Sequence, residues 1–119
     1  MITKEEIGDL IKRLIIENKK YSGENIKFTD YCEIKMQDRG IEKDSVTETL
    51  TLNDDLYYAE KQVVPSKEGE ETRYKLIYKI SSRYSLIIIV VYEEKILKVI
   101  NVIKTSKSAE KLWRKKISG

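Results

Sequence analysis

The chain has 119 residues, 40% hydrophobic and 36% charged, which suits a soluble globular protein with one core rather than a disordered one. Its net charge of +3 is uneven: residues 104–119 carry six Lys or Arg against one Glu, leaving 17 of 23 basic and 19 of 20 acidic residues in the first 103. With no His and one Cys, the composition excludes a histidine-based catalytic pair, a Cys/His zinc site and an intramolecular disulfide.

Thr3 and Glu6 form a capping box ahead of Ile7, Leu10, Ile11, Leu14 and Ile15 at helical spacing, which predicts an amphipathic helix over residues 4–18. "YSGEN" breaks it, and residues 26–28 lead into "FTDYCEIKMQDRGI" at 28–41. There Thr29 is a good N-cap, Asp30 suits the first turn of a helix, and Gly40 suits a left-handed end with Ile41 folding back. A short helix over residues 43–50 turns Val46 and Leu50 inward.

After "NDD" at 53–55 the texture changes to strands. Residues 56–64 form the first, ended by Pro65, and "SKEGEE" is a polar loop. Residues 73–80 alternate, with Tyr74, Leu76, Tyr78 and Ile80 on one face and Arg73, Lys75 and Lys79 on the other. "LIIIVVY" at 86–92 is apolar on both faces and predicts a central strand. Residues 93–95 turn the chain, 96–103 return as the last strand, and Ser106 or Ser108 caps a final helix to about Ile117. Short links between consecutive strands predict an α+β fold: N-terminal helices packed on a four-stranded antiparallel sheet, with a C-terminal helix, in a single domain of residues 1–119.

In the 28–41 stretch, capping explains Thr29 and Gly40, and burial explains Cys32 and Met36. Tyr31, Lys35 and Arg39 remain at i, i+4 and i+8, a single row along the helix. A phenol, an ammonium and a guanidinium in line could grip a phosphate; an ordinary solvated face has the same spacing. Lys35 and Arg39 one turn apart repel, so an anion or a carboxylate such as Glu33 or Asp38 is expected between them. The row is expected to face a shallow cleft shared with the end of the last strand near Lys104.

Lys107, Lys111, Arg114 and Lys115 fall on one stripe of the expected last helix, with Ala109, Leu112, Trp113 and Ile117 opposite. Such a stripe meets polyanions or simply aids solubility. Adjacent acidic residues at 54–55, 70–71 and 93–94 point to opposite faces of a strand, so no metal or other cofactor is expected. The longest apolar run is residues 86–92, far short of a membrane span, and "MITKEEIGDL" does not read as a signal peptide. A cytoplasmic protein without membrane contact is the expectation.

Phe28, Thr29, Met36, Arg39, Gly40 and Ile41 resemble the signature of a family of small prokaryotic domains of unknown function related to BrnT-type and RelE-type toxins. Tyr31 stands where that signature usually has His, and Lys35 where it usually has Arg. "VINVIKTSKSAEKLW" at 99–113 is similar to the family's last strand and following segment. The resemblance covers residues 26–113 and leaves the helix of residues 1–19 outside it. It implies a compact RelE and barnase-like fold, a protein partner of the antitoxin kind, and metal-independent RNA cleavage through the 2′-hydroxyl. RelE-type toxins resemble one another in using Lys, Arg and Tyr for this, which makes Tyr31, Lys35 and Arg39 the candidate catalytic residues and Lys104, Lys107, Lys111, Arg114 and Lys115 the candidate RNA contacts. The alternative is a non-catalytic descendant of that fold that binds RNA or protein.

Overall fold

The computed structural model describes residues 3–106. The elements run α1 (Lys4–Asn18), β1 (Ile26–Phe28), α2 (Asp30–Arg39), α3 (Lys43–Leu52), β2 (Leu56–Ser66), β3 (Gly69–Lys79), β4 (Ser85–Tyr92) and β5 (Leu97–Thr105). The capping box holds at the start of α1, where the Glu6 amide donates to Thr3 Oγ1 at 3.1 Å. The expected helix at the C-terminus lies outside the described residues.

The sheet has five strands in the order β1-β5-β4-β3-β2. This corrects the expected four-stranded antiparallel sheet: β1 pairs with β5 in parallel, in the register Ile26↔Leu97, Lys27↔Lys98 and Phe28↔Val99. Three residues give too short a pattern to read as a strand, and their partner lies about 70 positions away along the chain. The other neighbours are antiparallel and sequential, and β4 sits at the centre, as its two-sided apolarity predicts.

Several strand boundaries also differ from expectation, and the expected polar loop of residues 66–71 shrinks to its tip, since β2 runs to Ser66 and β3 starts at Gly69. β2 continues through Pro65, which pairs with Glu70, because β2 is the edge strand and a residue without an N–H is tolerated there. Ile80 falls beyond the end of β3 and is 37% exposed, so its place in the alternating face is lost. The hairpin tip turns at Lys67 and Glu68 into Gly69, whose φ of 117° no L side chain adopts comfortably.

The main core lies on one face of the sheet. Leu14 of α1, Cys32 and Met36 of α2, and Val46 and Leu50 of α3 pack against Ala59, Leu76, Tyr78, Ile88, Val90, Val99 and Val102. On the other face Tyr58, Ile77 and Ile87 stand in cross-strand register, joined by Ile7 in a smaller cluster. Asn18, wholly buried at the end of α1, donates to Tyr78 Oη at 3.2 Å and accepts from Tyr92 O–H. A salt bridge from Lys19 to Asp54 (2.8 Å) ties the same helix end to the α3–β2 connection. None of the described helices is long and apolar enough to cross a membrane.

Candidate functional site

α2 is held at both ends by the residues that punctuate its sequence. Thr29 Oγ1 accepts from the Cys32 amide at 3.1 Å, and Gly40 takes φ 68° while the Ile41 amide donates to Met36 O at 2.9 Å. The helix follows directly on β1, so it runs beside the part of β5 that β1 is too short to cover. The Thr29 amide donates to Val99 O (3.1 Å), and at the other end Arg39 Nη1 donates to Val102 O (2.6 Å) and Asn101 Oδ1 (2.9 Å).

Arg39 therefore closes an open sheet edge, where an unpaired carbonyl would otherwise face solvent or a foreign strand. Lys35 takes another direction, its Nζ 5.7 Å from the centroid of the Tyr31 ring. These contacts give Lys35 and Arg39 separate partners. Arg39 donates to a β5 carbonyl, and Lys35 lies near an aromatic ring. Glu33, one of the carboxylates considered for the place between them, pairs instead with Lys43. Tyr31 is 52% exposed and Ile34, one turn further along, 59% exposed, so this face of α2 opens to solvent.

Cys32 is fully buried, with its Sγ 3.6 Å from Met36 Sδ. Burial pushes its thiol up to about 11, against a smaller lowering by the Arg39 guanidinium. A buried thiol with so high a pKa is a poor nucleophile, and its role is packing.

Lys104, at the end of β5, stands with its Nζ 4.3 Å from the centroid of the Tyr84 ring. It lines a groove of about 280 Å³ with Gly40, Ile41, Glu42, Ser45, Thr49, Ile80, Tyr84 and Leu86. A groove thus lies near Lys104 beside the end of α2, but Tyr31, Lys35 and Arg39 are all absent from its walls, so the row does not face it as expected. Within the row, Lys35 stands near the Tyr31 ring, while Arg39 reaches β5. Lys107, Lys111, Arg114 and Lys115 lie outside the described residues.

The partners that settle Arg39 were invisible in the sequence. Asn101 and the Val102 carbonyl lie 62 and 63 positions from it along the chain, and nothing local marks a backbone carbonyl as waiting for a side chain. Phe28, Thr29, Met36, Gly40 and Ile41 likewise have structural places: the last residue of β1, a cap, a buried side chain and a closing turn. No family model matches the chain, and neither a curated protein nor a solved structure does.

Proposed function

We propose that the protein binds RNA without cleaving it, as a non-catalytic relative of the RelE-type and BrnT-type toxins that its 28–41 stretch resembles. The observation that carries the second half is the engagement of Arg39. Cleavage through the 2′-hydroxyl needs a base, an acid and a cation for the charge that develops on phosphorus, held together around one phosphate. The only guanidinium of the row donates to Val102 O and Asn101 Oδ1, which leaves Lys35 and a half-exposed Tyr31 on an open helix face. Two such groups, on a face where Tyr31 and Ile34 are more than half exposed, can touch a phosphate from an open surface. Support for RNA as the partner comes from the charge distribution: the basic residues gather from Lys104 onward, where β5 ends.

The test is a mixed RNA pool, read both for cleavage on gels and for binding by fluorescence anisotropy. Wild type is expected to bind and leave the RNA intact. Neutralising Lys107, Lys111 and Arg114 together is expected to weaken binding for all sequences alike, and to lower the salt slope by about 0.7 per lost phosphate contact on single strands. Cleavage by wild type that Tyr31→Phe or Lys35→Ala abolishes would restore the enzyme reading. Absence of binding would remove RNA from the proposal altogether.

A further inference from the structure

α1 does not lie flat on the sheet along its whole length. Between its Arg13–Glu17 side and the sheet is a groove of about 520 Å³, lined by Arg13, Leu14, Glu17, Lys61, Thr72, Tyr74 and Tyr92. The register explains why the sheet residues converge. Lys61 of β2 stands directly opposite Tyr74 of β3, Thr72 precedes Tyr74 by two and shares its face, and Tyr92 of β4 follows two residues after Tyr74's own partner, Val90. Arg13 and Glu17, one turn apart, overhang from α1.

Four polar groups on these walls are unengaged. Arg13, Lys61, Thr72 Oγ1 and Tyr74 Oη have neither an ion pair nor a side-chain hydrogen bond among the described residues. Glu17, the one carboxylate present, is taken by Lys20 at 3.0 Å. The aromatic wall is held in place. The Tyr92 ring packs edge-on against Tyr74 at 5.3 Å between centroids and lies 6.3 Å from Tyr21, and its hydroxyl donates to the buried Asn18.

We propose that this groove between α1 and the sheet binds a small organic phosphate, its anionic group between Arg13 and Lys61 and its planar or apolar body against Tyr74 and Tyr92. A phosphate monoester carries about two negative charges and three acceptor oxygens near neutral pH. Two cations and two hydroxyl donors match that number better than they match a carboxylate, which has one charge and two oxygens. The Arg13 fork can take two phosphate oxygens at once, while Lys61 acts as a point charge. The groove's volume falls within the range of small-molecule sites, about 300–1,000 Å³. The site is separate from the RNA reading, since none of the basic residues assigned to RNA lines it.

The experiment is calorimetric titration of the full chain with adenosine 5′-monophosphate, adenosine and inorganic phosphate. The expected result is saturable one-to-one binding of the monophosphate, with each of the other two probes at least tenfold weaker. Arg13→Gln and Lys61→Gln are each expected to weaken the monophosphate about tenfold, the usual effect of losing one charge-assisted hydrogen bond. Both side chains are exposed, so both variants should keep the wild-type circular dichroism. Lys12→Gln, an exposed neighbour on α1 that does not line the groove, should bind as wild type does, and so should the tail-neutralised protein. No binding of the monophosphate, or equal weakening by Lys12→Gln, overturns the site. Inorganic phosphate binding as tightly as the nucleotide overturns the role given to the aromatic wall.

Discussion

Arg39 shows how one side chain of a candidate row also serves the fold. Its guanidinium satisfies a backbone carbonyl at a sheet edge and also holds the Asn101 amide. Arg39→Ala should lower stability by about 1 kcal/mol in urea unfolding, the partly exposed setting keeping the loss at the low end for a charged donor. The same variant should leave RNA affinity unchanged in anisotropy titrations. A large loss of affinity at unchanged stability would return Arg39 to a binding role. Asn18 is the more sensitive residue. It bridges the phenols of Tyr78 and Tyr92 inside the core, so Asn18→Ala strands two buried polar groups at once. The expected cost is about 2–4 kcal/mol, against about 1 kcal/mol for Tyr92→Phe, which removes one bond only. Equal costs in the same urea series would show that the bridge is not acting as a unit.

Among the elements, α2 and β5 behave as one assembly. β1 delivers the chain alongside β5, Thr29 fixes the start of the helix against Val99, and Arg39 fixes its end against Val102. Gly40 then releases the chain toward α3 through φ 68°. Space is not what requires glycine there, because nothing lies within 4 Å of an added Cβ. The backbone conformation is, so Gly40→Ala should cost about 1 kcal/mol of stability without a packing defect. Thr29→Ala should cost a similar amount through the lost cap. Hydrogen exchange offers the check. Both variants should lower protection at the amides of α2 and leave the β3–β4 ladder as it is, whereas uniform loss across the sheet would argue against a local unit.

At the scale of the whole molecule the buried phenols and thiol set an alkaline limit. Burial raises Tyr78 and Tyr92 above their ordinary value of 10, and Cys32 from 9 to about 11. Each group ionises first in the unfolded chain, so the folded state's advantage is complete below those ordinary values and shrinks as pH rises through them. The urea midpoint should therefore hold steady to about pH 9 and fall between pH 9 and 11. Tyr92→Phe should flatten part of that fall. A midpoint unchanged to pH 11 would mean that these groups reach solvent in the folded state.

Local signals alone determined α1, the caps of α2, the burial of Cys32 and Met36, the sequential antiparallel strands and the central place of β4. In each case the information lies within one helical turn or one strand repeat: a side chain that caps, a glycine that permits a left-handed residue, a period of apolar positions. The 3.6-residue period also put Tyr31, Lys35 and Arg39 in one row, and that row is real as a helix face. Only the tertiary structure decided which partners the row's side chains reach. β1 closes the sheet by pairing in parallel with a strand about 70 positions later, which sets α2 against β5 and brings Arg39 within reach of a carbonyl. The groove of Arg13, Lys61, Thr72 and Tyr74 was equally out of sight, because its walls come from four elements that no spacing connects. Helix and strand periods record which face a residue takes, while the choice of neighbour depends on register and on the packing of distant segments.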